Sequence, residues 1–227
     1  MFNVVQTAAV TIPVGASVTN IETMNVTSGT TANILDTSTG FSGLTALNVT
    51  GVGAQTVTAA ATTDITVTDS AQAALVITVD GGLAATVVSA AALANAGTNG
   101  AINVGATTAA AGAVTVTEAI TSSNAAAGAT TGSAITVTGG TTIDLTQTFA
   151  STTAAAATAL TGSVTAVNTG GVITATGNAS TTAVTVTQSA AVAAVSSATI
   201  GRVGVTDGAV NILDANRAST TAAGTIA

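Results

Sequence analysis

A short alternating unit recurs along the chain and constrains its fold more than any other feature. In each copy Val, Ile or Leu alternates with Thr, Asn or Ala, and Gly, Asn or Asp commonly closes the unit. This period-two pattern is typical of a β-strand with one buried side and one side facing solvent. The sequence therefore predicts an all-β protein, with copies at residues 21–27, 44–50, 64–68, 75–79, 113–117, 134–138, 172–176 and 183–187.

The spacing of these units indicates how the strands are arranged. Comparable positions are 23 residues apart from Val26 to Val49 and 21 residues apart from Val116 to Val137, and intermediate steps run from 8 to 12 residues. A period near 20 with a half step near 10 predicts a flattened parallel β-solenoid, a β-helix-like fold with two short strands in each coil. A β-sandwich is the alternative, because its strands also follow one another every 8 to 12 residues.

The apolar composition favours a thin interior. The chain has three Phe, no Trp and no Tyr, so Ala, Val, Ile and Leu must fill the core. Large aromatic side chains normally supply much of the buried area of a thick core. Ala-rich stretches at residues 90–96, 106–113, 124–131 and 150–160 lack a helical stripe, and we predict that they form long turns. We expect residues 1–227 to form a single elongated segment, a fragment of a larger protein.

The charge balance excludes some partners and favours others. Only 5% of the residues are charged, and with two Arg and no Lys or His the net charge is −7. Nucleic-acid binding is not expected, because it needs clustered cations for the phosphates or aromatic rings for the bases. No transmembrane segment is expected either, since no uninterrupted apolar window of about 18 residues occurs. Cations are the partners that this composition favours.

Three aspartates at predicted strand ends are candidate metal ligands. Asp69, Asp80 and Asp207 each stand where a turn exposes backbone carbonyls, and calcium prefers such hard oxygen ligands. The alternative is ordinary turn chemistry, in which Asp accepts hydrogen bonds from its own backbone. Glu22 and Glu118 are predicted to be solvated, or to guard a sheet edge against misplaced pairing.

Catalytic chemistry is not expected from this inventory. The chain has neither His nor Cys, and its nine carboxylates are scattered. The closest pair, Asp64 and Asp69, is separated by an odd number of residues and would face opposite sides of one strand. We therefore predict no enzymatic activity.

An ordered set of phrases resembles a known family. The phrases stand at residues 19–29, 43–50, 54–59, 79–82, 135–140 and 177–188, from TNIETMNVTSG near the start to GNASTTAVTVTQ near the end. In order and content they resemble the large S-layer proteins of alphaproteobacteria, which are RTX-type surface proteins. The resemblance spans most of the chain.

This resemblance implies a structural role. Proteins of the family are exported by type I secretion and form a two-dimensional, calcium-dependent lattice of identical copies on the bacterial cell surface. Lipopolysaccharide anchoring would involve a region outside these residues. The calcium-binding nonapeptide of the family, Gly-Gly-x-Gly-x-Asp, has no complete copy here. The alternative function is an adhesin stalk or a carbohydrate-binding module on the same solenoid.

Overall fold

The strands follow one another at short intervals in the part of the chain that the structure describes. A computed structural model describes residues 1–8, 15–29, 32–72, 74–93, 97–122, 128–151, 166–192, 203–206, 210–213 and 225–226. Within these ranges there are 21 strands and no helix. In chain order they are β1 (Phe2–Gln6), β2 (Val18–Thr19), β3 (Thr23–Ser28), β4 (Ala32–Thr37), β5 (Phe41–Ser42), β6 (Ala46–Gly51), β7 (Ala54–Ala59), β8 (Asp64–Asp69), β9 (Ile77–Gly81), β10 (Ala85–Leu93), β11 (Ile102–Val104), β12 (Val114–Ser122), β13 (Gly128–Thr131), β14 (Ile135–Thr138), β15 (Thr142–Ser151), β16 (Ala166–Thr169), β17 (Ile173–Thr176), β18 (Ala183–Val192), β19 (Val203–Thr206), β20 (Val210–Leu213) and β21 (Thr225–Ile226).

Two long parallel sheets organise these strands. The nine-stranded sheet has the order β1-β3-β6-β8-β10-β12-β15-β18-β21, and the seven-stranded sheet has the order β20-β17-β14-β11-β9-β7-β4. Each strand pairs in parallel with a strand one coil away, as Val49 of β6 does with Val26 of β3 and Val67 of β8. Consecutive strands of the chain alternate between the sheets from β6 to β12. The predicted parallel β-solenoid is therefore confirmed, and the antiparallel sandwich alternative is wrong.

The coils grow longer towards the C-terminus. The step between paired residues is 23 from Val26 to Val49, in agreement with the sequence period, but 29 from Val87 to Val116. From β12 onwards each coil adds a strand to a third parallel sheet, ordered β13-β16-β19, before it returns to the seven-stranded sheet. Two strands per coil is therefore correct only between β6 and β11, because the coil before β6 also carries β5, which pairs with β2 in a two-stranded parallel sheet. Val137 pairs with Val104 in the seven-stranded sheet instead of continuing from Val116.

The Ala-rich stretches have different structures. Residues 90–93 continue β10 as a regular strand, so the predicted turn is wrong there. Ala90 and Ala92 face outward while Ala91 and Leu93 are buried, so Ala takes both sides of the strand here like any other small residue. Residues 106–113 form bends and irregular backbone outside any strand, in agreement with the predicted long turn. In the other two stretches residues 128–131 form β13 and residues 150–151 end β15, while residues 124–127 and 152–160 lie outside the described residues.

Small branched side chains fill the space between the two long sheets. The side chains stack in register from coil to coil, so each inward position of a strand extends into a column along the solenoid. One such column of the nine-stranded sheet runs through Val26, Val49, Val67, Val87, Val116 and Leu145, each no more than 1% exposed. Columns of Ile and Val from β9, β11, β14 and β17 face it in the same apolar cluster. The thin aliphatic core predicted from composition is confirmed.

Glycine pairs turn the chain at the ends of β9 and β14. Gly81 and Gly82 have φ angles of 73° and 84°, and Gly139 and Gly140 have φ angles of 79° and 102°. These left-handed conformations are accessible to Gly without steric cost. A Cβ added at Gly81 would also collide with the carbonyl oxygen of Ala59 in the neighbouring coil. The turns thus depend on Gly both for conformation and for close coil stacking.

Candidate functional site

A buried column of polar side chains runs beside the apolar columns. Its members occupy one register position of the nine-stranded sheet, the third inward position of the strands. We call them the polar column: Gln6, Ser28, Asp69, Ser89, Glu118, Gln147 and Gln188, with Gly51 at the same position in β6. In β10, β12 and β15 the inward residues on both sides of this position are apolar, as Val116 and Ile120 are in β12. These three strands therefore hold polar groups between two apolar layers, whereas β1, β3, β6 and β8 end at the polar position.

Glu118 lies at the centre of the polar column and is fully buried. Its Oε1 accepts hydrogen bonds from Asn99 Nδ2 at 2.7 Å and from the Ser133 hydroxyl. Its Oε2 accepts a hydrogen bond from Gln147 Nε2 at 2.5 Å. The expectation that Glu118 is solvated or guards a sheet edge is wrong, whereas Glu22 is exposed as predicted. The carboxylate can be buried because neutral donors from three other chain segments satisfy it.

Hydrogen bonds extend the network towards the C-terminal coils. Gln147 Oε1 accepts from the backbone amide of Gly171 at 2.8 Å and from Gln188 Nε2 at 2.7 Å. Gln188 Nε2 also donates to the carbonyl oxygen of Gly171 at 2.8 Å. The two glutamines thus bond to each other across neighbouring coils, and both bond to Gly171. The polar column therefore adds side-chain hydrogen bonds between successive coils, which otherwise contact each other through the pairing and packing of neighbouring strands.

Towards the N-terminal coils the network passes through Asn99 and Gln72. Asn99 Nδ2 lies 3.3 Å from Gln72 Oε1 and 3.0 Å from Ser133 Oγ. Gln72 Oε1 also accepts from the Ser89 hydroxyl, and its Nε2 donates to the carbonyl oxygens of Leu75 and Gly100 at 3.0 Å each. Continuous hydrogen bonding therefore runs from Ser89 to Gln188 across four strands of the nine-stranded sheet.

Asp69, a predicted metal ligand, belongs to the polar column. It is 1% exposed, and its two carboxylate oxygens accept the backbone amides of Gly53 and Ala71 at 2.9 Å each. Burial raises the pKa of Asp69 above its ordinary 3.8, although the amides of Ala71 and Gly53 act in the opposite direction. Asp64 is exposed on the opposite side of the same strand, as the odd separation predicted. The structure thus places Asp69 inside the solenoid, where it bonds to two turns.

Asp80 stands on the other long sheet, in β9. Its Oδ1 accepts the backbone amides of Thr107 and Thr108 at 2.8 and 3.2 Å, and the residue is 8% exposed. These bonds attach the bend at residues 105–108 to the coil before it. Asp207, the third predicted ligand, lies outside the described residues. Calcium binding by these three aspartates stays a prediction.

The part of the chain that the structure describes has neither a cluster of metal-ligating side chains nor a membrane-spanning helix. There, no three His, Cys, Asp or Glu residues lie close enough together to hold a metal ion. The same described residues contain no helix of the length and hydrophobicity needed to cross a membrane.

The sequence contains a signal for the polar column that the strand analysis missed. Glu118 has the same parity as Val114 and Val116, and Gln147 has the same parity as Ile143 and Leu145. In a regular strand residues of equal parity point to one side, so both are inward positions. Glu118 is nevertheless expected in solvent, because burying a carboxylate without partners is costly. Their partners come from distant segments that the strand pattern does not reveal.

Comparison with known proteins gives no relative that fixes the family. No family model matches the sequence, and no curated protein matches it.

Proposed function

We propose that this chain is a structural segment of a bacterial surface layer, secreted to the cell surface, where it contributes to a calcium-dependent two-dimensional lattice of identical copies. The observation that carries the proposal is the continuous stack of parallel coils with side chains in register from β1 to β18. A stack of this kind suits a scaffold, because each coil is held in place by the coils on its two sides. The ordered resemblance to alphaproteobacterial S-layer proteins supports the same function.

The interior supports a scaffold role through its two kinds of column. The apolar columns remove small branched side chains from water along the whole stack, which is the main source of stability in such folds. The polar column adds hydrogen bonds that are satisfied only in one register, since Glu118 needs donors from Asn99, Ser133 and Gln147 together. A one-coil slip would leave these groups unpaired, so the polar column favours a single arrangement.

The surface supports calcium as the agent of assembly. The net charge of −7 opposes the approach of two copies, and divalent cations relieve such repulsion. Asp36, Asp64 and Asp144 are exposed carboxylates on the two long sheets. Carboxylate oxygens are ligands that calcium prefers. Exposed carboxylates of neighbouring copies would then share the ions.

Electron microscopy of the purified protein with and without calcium tests the proposal. Ordered sheets should form in millimolar calcium and dissolve when a chelator is added, and magnesium at equal ionic strength serves as the control. Sheets that persist unchanged in chelator would contradict calcium dependence. A protein that stays monomeric in calcium but binds to a glycan array would contradict the lattice function and favour the adhesin or carbohydrate-binding alternative.

A further inference from the structure

The outward side of the nine-stranded sheet carries two in-register ranks of mostly threonine. The two ranks lie two residues apart along the strands and face away from the core. We call the following residues the threonine face: Asn25, Asn48, Thr66, Thr86, Thr115, Asp144 and Thr185 in the first rank, and Thr27, Thr50, Thr68, Val88, Thr117, Thr146 and Thr187 in the second. All of them are exposed or half-buried.

The fold fixes the spacing of these side chains in two directions. Neighbouring strands of a sheet are about 4.8 Å apart, and alternate residues of a parallel strand are about 6.6 Å apart. The register is unbroken from β3 to β18, so the two ranks repeat on this grid over seven strands. Hydroxyl and methyl groups therefore recur with a regular period across one side of the molecule.

Threonine makes this grid rigid. A β-branched side chain in a strand has few χ1 rotamers, so its hydroxyl and methyl groups keep fixed directions. The asparagines of the first rank extend the order, because Asn48 Nδ2 donates to Asn25 Oδ1 and Asn25 Nδ2 donates to Asn3 Oδ1, both at 2.9 Å. A surface that is ordered before binding loses little conformational entropy when it binds.

The threonine face is nearly free of charge in a protein with a net charge of −7. Asp144 is the only charged residue in its two ranks. The seven-stranded sheet offers no equivalent, because its corresponding second rank is interrupted at Asp80, whose carboxylate accepts the bend at residues 107–108. The partner that suits a nearly uncharged and periodic face is itself uncharged and periodic.

We propose that the threonine face binds ice, with its hydroxyl and methyl groups holding a layer of ordered water that continues into the ice lattice. Water molecules in ice repeat in two dimensions at distances similar to those of this grid, and each bonds readily to a hydroxyl. A carbohydrate partner would instead use aromatic platforms, and the described outward ranks contain none. The inference is independent of the lattice proposed above.

Thermal hysteresis and binding of the labelled protein to a single ice crystal test this proposal. The wild-type chain should show both. Thr117→Tyr places a bulky ring in the middle of the face while keeping a residue that favours strands. We expect it to weaken the apparent affinity for ice by about tenfold or more, which corresponds to ~1.4 kcal/mol. Thr117→Val keeps the shape without the hydroxyl and should give an intermediate loss.

Thr136→Tyr is the matched control, because Thr136 is an exposed outward residue of β14 in the seven-stranded sheet. It should retain wild-type affinity for ice, and circular dichroism should show that all three variants keep the strand content of the wild type. Absence of thermal hysteresis in the folded wild type overturns the proposal. Equal losses for Thr117→Tyr and Thr136→Tyr also overturn it. Sedimentation showing that Thr117→Tyr alone disrupts a dimer would assign the face to a second copy instead.

Discussion

The apolar and polar columns occupy the same strands, but packing stabilises the apolar columns and hydrogen bonds stabilise the polar column. In β12 the inward side chains of Val116 and Glu118 are only two residues apart, and both are fully buried in the same parallel ladder. Val116 needs neighbours of suitable volume, which the stacked Val87 and Leu145 provide. Glu118 needs donors at fixed positions, and these come from loops as well as from the next strand. One column therefore tolerates exchange of side chains of similar size, and the other does not.

The largest effect is expected from a cavity in the apolar column. Leu145 is fully buried between Val116 and Val186, so Leu145→Ala should lower the free energy of unfolding by about 2–5 kcal/mol. Urea unfolding followed by circular dichroism measures the change. Val88→Ala, on the outward side of the same sheet, is the control and should stay within about 0.5 kcal/mol of wild type. Equal losses in the two variants would show that the column is not packed as described.

A substitution that conserves shape should damage the polar column by a somewhat smaller amount. Glu118→Gln replaces one carboxylate oxygen, which accepts hydrogen bonds, with an amide NH2 group, which donates them. This new donor then faces the donor group of Asn99 or of Gln147. We expect a loss of about 1–3 kcal/mol in the free energy of unfolding, the cost of a buried group without a partner. Glu22→Gln, at an exposed residue, should change nothing measurable. A Glu118→Gln variant as stable as wild type would mean that the network does not require the carboxylate.

The pH dependence of the free energy of unfolding distinguishes the polar column from the apolar columns, because Asp69 titrates and the apolar side chains do not. Its folded-state pKa is raised above the ordinary 3.8, so between these two values the folded state binds more protons than the unfolded state. Stability from this group is therefore complete below 3.8 and is lost as the pH rises through the folded pKa. The free energy of unfolding of wild type relative to Asp69→Asn should rise as the pH falls through this window. The free energy of unfolding of wild type relative to Leu145→Ala should show no such trend, because both proteins keep Asp69. A wild-type advantage over Asp69→Asn that shrinks on acidification would contradict the raised pKa.

The smallest effect is expected outside the core, at the asparagines of the threonine face. Asn48→Ala removes the 2.9 Å hydrogen bond to Asn25, and Asn25→Ala removes it from the other side. A double-mutant cycle on the free energy of unfolding should give a coupling of about 0.5–1 kcal/mol, the usual net value of a neutral hydrogen bond. A coupling energy as large as the loss from Glu118→Gln would contradict the expectation that the hydrogen bond between the outward asparagines stabilises the fold less than those of the polar column.

Much of the fold could be predicted from local pattern, but the candidate site could not. Alternation in segments such as residues 64–68 gave the strand and its inward face, and Val26 and Val49 gave a coil step of the right length. The step from Val116 to Val137 failed because those strands belong to different sheets, and residue spacing does not distinguish sheets. The environment of Glu118 was missed because its donors Asn99 and Ser133 lie 19 and 15 residues away in loops.

The sequence by itself determined the alternating strands, such as residues 64–68, and their apolar inward side. Both follow from interactions between residues one or two positions apart, because successive side chains of a strand point to opposite sides. Only the tertiary structure decided the register of the coils, the third sheet of the later coils and the burial of Glu118. These features depend on contacts between segments about 15 to 41 residues apart in the chain, because each coil packs against its neighbours and forms hydrogen bonds with them.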